Sequence, residues 1–128
     1  MDNKSQNSMT QVLSDMNREA QFPVATLSSR DGLLVAASAS NGNNPAKQSA
    51  VVAKLVEAAN LMRSHLDFGK PEELSFFAEG GRRLVCRTFN LSGRELILAV
   101  LIPKRGQAYR RATSKAIARL TSVWKTKR

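Results

Sequence analysis

The sequence predicts an α+β domain in the order helix, two strands, helix, three strands, helix, and three observations carry that reading. Residues 22–38, FPVATLSSRDGLLVAAS, set two apolar runs around an Asp-Gly pair, a strong short-range hairpin signal. A long helical pattern then occupies residues 46–66. After it, ELSFFAE, RLVCRTF and RELILAVLI are separated by short glycine-bearing turns, the pattern of an antiparallel meander. At 128 residues with 42% hydrophobic content, the chain has the size and composition of one folded domain.

The elements follow in order. Residues 1–7 are polar and read as a flexible tail ahead of a domain spanning 8–126. Met9, Val12, Leu13 and Met16 recur at helical spacing behind Ser8, a candidate cap, which predicts a short amphipathic helix over 8–20. In the hairpin, Gly32 can take positive φ without steric cost. The run GLLVAAS is apolar at almost every position, so the hairpin is expected to be central and covered on both faces.

Asn44-Pro45 places a cap and a first-turn proline at the start of the long helix. Its main stripe is Val51, Leu55, Ala58, Ala59, Met62 and Leu66, yet Ala50, Ala53, Val56 and Leu61 lie off it. Only a narrow arc through Glu57, Asn60 and Ser64 is polar, so the helix is expected to be buried on more than one side. In so small a domain, the second side is expected to meet another subunit. Of the three later strands, RELILAVLI is apolar at consecutive positions and reads as central. ELSFFAE, with charges at both ends, reads as an edge. Phe76 and Phe77 on an edge call for cover, which pairing with a second copy across a two-fold axis would supply.

The last helix is predicted over about residues 106–125. Tyr109, Ala112, Ala116, Ile117, Leu120, Val123 and Trp124 share one arc. Arg111, Lys115 and Arg119 form an i, i+4 row opposite. Residues 103–128 hold nine Lys and Arg and no acid, and so supply nearly all of the net charge of +10. Like charges at i, i+4 are mildly unfavourable, and no acid in this segment compensates them. Arg105, Arg110, Arg111, Lys115 and Arg119 are therefore candidates to meet an anionic partner, either nucleic acid or an acidic membrane, with Lys125, Lys127 and Arg128 extending the patch.

With the DGLLVAAS hairpin first, the small-residue apolar helix second and the meander before a terminal helix, residues 8–125 resemble the Roadblock family. That family includes the dynein light chains of that name and bacterial MglB-like regulators of Ras-like GTPases. The resemblance implies a single five-stranded antiparallel sheet, with the middle helix on one face and the first and last helices on the other. A profilin-like or PAS-like sensor module is the alternative architecture. The resemblance further implies a homodimer, or a dimer with a related Roadblock chain, formed through the middle helix and the third strand. Carried onto this sequence, that interface is Ala50, Ala53, Glu57, Leu61, Leu74 and Phe76. The implied function is a non-catalytic scaffold that binds and regulates a small Ras-like GTPase. Two departures bear on the partner: SNGNNPAKQ stands where the family often has an acidic loop, and the basic last helix is not a family hallmark.

No catalytic constellation is apparent. His65, the only histidine, stands late in the middle helix without an obvious acid or nucleophile partner nearby in sequence. Cys86, the only cysteine, lies mid-strand among Leu84 and Val85 and reads as a small buried hydrophobe in a reducing cytoplasm. One Cys and one His do not make a zinc site, and no phosphate-binding loop motif occurs. No enzyme activity, metal or cofactor is expected. A small-molecule sensor is the weakest reading, since apolar lining is available but convergent polar groups are not.

Overall fold

A computed structural model describes residues 3–126. The elements are α1 (Asn3–Ala20), β1 (Val24–Ser29), β2 (Leu34–Ala39), α2 (Pro45–Leu66), β3 (Glu73–Phe77), β4 (Arg83–Leu91), β5 (Arg94–Ile102) and α3 (Arg110–Thr126). The five strands form one antiparallel sheet in the order β2-β1-β5-β4-β3. This is the predicted order and sheet type, with β5 at the centre and β3 at an edge.

Alternation along the strands sorts the consecutive apolar runs onto two faces. Leu96, Leu98 and Val100 of β5 join Met9, Leu13 and Met16 of α1 and Ala116 and Leu120 of α3 in the larger core. Ile97 and Ala99, with Cys86 of β4, pack instead against Val52 and Val56 of α2. The α2 layer is thin and made of small residues, and its seat is partly polar. Gln48 Nε2 donates to Thr26 Oγ1 and to the Ala99 carbonyl, both at 3.2 Å.

Four details differ from the sequence reading. First, α1 begins at Asn3 rather than Ser8, so five residues of the stretch read as a tail are helical. Ser5 is buried, and Gln6 Nε2 donates to the Val35 carbonyl at 3.2 Å, contacts that only the tertiary structure creates. Second, the hairpin is not doubly covered as a unit. β1 is buried along almost its whole length, but β2 is an edge strand with Leu33 at its mouth 66% exposed.

Third, the buried stripe of α2 is Ser49, Val52, Val56 and Ala59, turned by one position, about 100°, from the predicted one. Ser49 and the small residues near it let the helix approach the hairpin closely. Val51, Met62 and Leu66 of the predicted stripe are exposed instead. Fourth, α3 starts at Arg110, because residues 104–107 close a tight turn through Gly106 at φ 76, with the Gln107 amide donating to the Lys104 carbonyl at 3.2 Å. The predicted cap of α2 is present: Asn44 Oδ1 accepts from the Lys47 amide at 3.1 Å, and Pro45 opens the helix.

Candidate functional site

Along α2, four large apolar side chains are exposed. Leu61 is 58% exposed, and Val51, Met62 and Leu66 are exposed with it. Beside the first turns of α2, the tip of the β1–β2 hairpin closes a groove of about 680 Å³, lined by Ala50, Ala53 and Glu57 together with Arg30, Gly32 and Lys54. Gly32 makes this approach possible. Its φ is +91, and a Cβ there would stand 3.1 Å from the Ala53 Cβ and 3.5 Å from the Ser49 carbonyl oxygen. The turn itself is tied by Leu33 N donating to Ser29 Oγ at 3.1 Å. A hydrogen bond from Ser29 Oγ, then one from its own backbone amide, holds the Asp31 carboxyl below its ordinary pKa.

At the far end of α2, Met62, Phe68 and Leu74 share a second hollow of about 360 Å³. Leu74 and Phe76 lie on the α2 face of the sheet, paired with Cys86 and Leu84 of β4. Leu74 is half-buried, whereas Phe76 is 61% exposed. The six predicted interface residues thus share one side of the molecule, in two groups: Ala50, Ala53 and Glu57 in the hairpin groove, and Leu74 with Phe76 on the sheet. Leu61 lies on the helix between the groove and the C-terminal hollow.

The two sheet edges are treated differently. Along β2, Asn17 Nδ2 of α1 donates to the Ser38 carbonyl at 3.0 Å and Gln6 reaches the Val35 carbonyl, so side chains of α1 tie β2 down. Among the described residues, β3 pairs only with β4 and has no such cover.

The cationic face of α3 is less free than its sequence implies. Lys115 pairs with Glu19 of α1 at 3.3 Å, Arg119 with Asp15 at 3.1 Å, and Arg110 with Glu73 of β3 at 3.3 Å. The compensating acids are therefore present but lie on other elements. Asp15 and Glu19 are themselves four residues apart, and that spacing matching Lys115 and Arg119 is the signal in the sequence that could have revealed the pairing. A hydrogen bond from Gln11 first, then the Arg119 and Arg18 guanidiniums, hold the Asp15 carboxyl below its ordinary value. Arg105 stacks 5.2 Å over the Phe77 ring and donates to the Glu79 carbonyl at 3.0 Å. Arg111 alone of the five has no partner among the described residues. Lys127 and Arg128 lie outside the described residues.

Glu73 also accepts from the Tyr109 hydroxyl at 2.7 Å, and Arg83 lies 4.8 Å over the Tyr109 ring while donating to its hydroxyl. Arg87 donates to Thr113 Oγ1 and Ser114 Oγ at 2.9 and 2.7 Å, fixing the start of α3 on β4. Sequence reasoning missed this network, since its members come from β3, β4 and α3. His65 is exposed at the end of α2, and Cys86 is fully buried, its thiol pushed up to about 12 by burial. No group of His, Cys, Asp and Glu that could hold a metal occurs among the described residues, and no helix there is long and apolar enough to cross a membrane.

Comparison with solved structures places this geometry. The gliding protein MglB of Thermus thermophilus superposes with a TM-score of 0.76 at 16% identity, over 98% of this chain and 95% of that one. An MglB in a tetrameric arrangement gives 0.77 at 16%, over 98% and 94%. A Roadblock/LC7 domain from Streptomyces avermitilis gives 0.66 at 18%, over 91% and 92%. The fold is the Roadblock fold, in the form MglB has. No protein-family model and no curated protein matches the sequence. In Roadblock terms, α2 is the middle helix on one face of the sheet, α1 and α3 cover the other, and β3 is the open edge.

Proposed function

We propose that this Roadblock-fold protein is a non-catalytic homodimeric regulator that binds a small Ras-like GTPase, with α2 and β3 forming the dimer and its working surface nearby. One observation carries the reading: the exposed apolar side chains of α2 and the uncovered β3 edge, with Phe76 open to solvent, lie on the same side of the sheet. A second copy would extend the sheet across β3 and cover the side chains that a monomer leaves in water. The neighbouring MglB in a tetrameric arrangement supports self-association as a property available to this fold. The regulator would act by shape and electrostatics, ordering the partner's switch loops on the platform.

The test is sedimentation equilibrium at micromolar concentration, followed by a pull-down from nuclease-treated lysate of the source cell at physiological salt. The wild type is expected to sediment as a dimer and to enrich a Ras-like GTPase. Leu61→Arg is expected to shift the protein to monomer and to lose the GTPase, with its circular dichroism unchanged. A strictly monomeric wild type would end the reading.

A further inference from the structure

The turn between β5 and α3 leaves an open pocket of about 660 Å³ that the α2 platform does not use. It lies between the C-terminal end of α1 and the start of α3, on the face of the sheet opposite α2. Lys104, Arg105, Arg111 and Lys115 line it against a single acid, Glu19. That acid is already paired with Lys115, and Arg105 is occupied with Phe77 and the Glu79 carbonyl. Lys104 Nζ and the Arg111 guanidinium have no partner among the described residues. The pocket therefore holds positive charge that nothing among the described residues answers.

The backbone around it favours the same sign of ligand. The last carbonyls of a helix carry partial negative charge and would oppose an anion. Here the Ala20 and Gln21 carbonyls accept from Gln107 Nε2 at 2.9 and 3.3 Å, and Gln107 Oε1 accepts from the Lys104 amide at 3.3 Å. This clamp blunts the end of α1 and holds the turn in shape before any ligand arrives. Across the pocket, α3 has no acid in its first turn, and the Tyr109 hydroxyl ahead of it is committed to Glu73. The remaining wall is apolar, formed by Ala20, Ala108 and Ala112. A volume of several hundred Å³ suits a small organic ligand and exceeds what a bare anion fills.

We propose that this pocket binds a small phosphorylated molecule of the size of a nucleoside phosphate. Lys104, Arg111 and the first turn of α3 hold the phosphoryl group, and the body of the ligand rests on the alanine wall. The proposal does not depend on the dimer or on a GTPase partner. Isothermal titration of the full chain, at low and at physiological salt, tests it with three probes. These are ADP, inorganic phosphate, and phosphatidylcholine vesicles containing phosphatidic acid.

ADP is expected to bind saturably and more tightly than phosphate, and binding should weaken at least tenfold, roughly one charge interaction in a partly dry site, in Arg111→Glu and in Lys104→Glu. Lys125→Glu makes the same change in net charge at the far end of α3 and should leave binding unchanged. Vesicle binding lost in the same two variants, with no response to ADP, would support the phosphoryl site and assign the group to a lipid headgroup. Equal weakening in Lys125→Glu would overturn the proposal, because attraction would then be spread over the whole helix. Absence of saturable binding by all three probes in correctly folded protein would overturn it as well.

Discussion

Replacing Gly32 by alanine tests the contact on which the α2 groove depends. Two costs are superposed at this position. A side chain at φ +91 is strained, by about 1–2 kcal/mol for an alanine in left-handed backbone. Against that, alanine restricts the unfolded chain and returns about 0.4–1 kcal/mol. The new Cβ would also stand 3.1 Å from the Ala53 Cβ, so the hairpin tip or α2 must shift by a few tenths of an ångström. Overpacking of that kind adds at least about 1 kcal/mol.

Gly93 separates the two costs, because its φ is +82 and nothing lies within 4 Å of the Cβ it would acquire. Gly93→Ala is thus expected to lose about 1 kcal/mol, and Gly32→Ala about 2 kcal/mol, the difference being the contact with α2. For a domain of this size that difference is a gap of about 4 °C in Tm, measured at one fixed protein concentration. Urea unfolding read by circular dichroism should give the same order. Equal losses in the two variants would refute the claim that Gly32 is required by the approach of the hairpin to α2.

Three further outcomes follow from named contacts. Because the Asp15 carboxyl is held below its ordinary value of 3.8 in the folded protein, its contribution is present above that pH and is lost as pH falls through the lowered value. Unfolding followed from about pH 5 to pH 2.5 should therefore show a steeper loss for wild type than for Asp15→Asn. Cys86 is fully buried, with its pKa raised to about 12, so a thiol-specific reagent at mildly alkaline pH should react only after denaturation; rapid labelling of native protein would contradict the packing. Leu120 of α3 is fully buried in the larger core, and Leu120→Ala should cost about 2–5 kcal/mol by denaturant unfolding.

What the sequence disclosed and what it withheld follow from the range of the interactions involved. Element order was legible because turn chemistry is local: Asp31-Gly32, Asn44-Pro45 and Ser92-Gly93 each act within a few residues. The central place of β5 was legible too, since only a strand covered on both faces can bury Leu96 through Val100 without a break. β2 gave the same signal and was misleading. Leu34, like Leu33 just ahead of the strand, lies exposed at the hairpin mouth with no covering element among the described residues. The phase of α2 was lost because almost every side of it is apolar or small. Periodicity then cannot separate the face against the sheet from the face against solvent, and Ser49, a polar residue, marks the buried one. The counterions of α3 lay outside any local window, being supplied by α1 and β3.

That same partition separates the two faces of the molecule. On the α1–α3 side, Asp15, Glu19 and Glu73 pair with Arg119, Lys115 and Arg110, and the α1 side chains Gln6 and Asn17 bond the Val35 and Ser38 carbonyls of β2. β3, which pairs only with β4 among the described residues, is the edge through which a two-fold pair would form. Pairing β3 with its own copy, as proposed, would use that edge in both subunits. It would also leave the α1–α3 side clear of the interface, so the basic pocket would stay accessible in the dimer. Titration of the phosphate probes against wild type and the monomeric Leu61→Arg variant should consequently give the same affinity. A large difference would mean that the two faces communicate through the sheet, and their separation would fail.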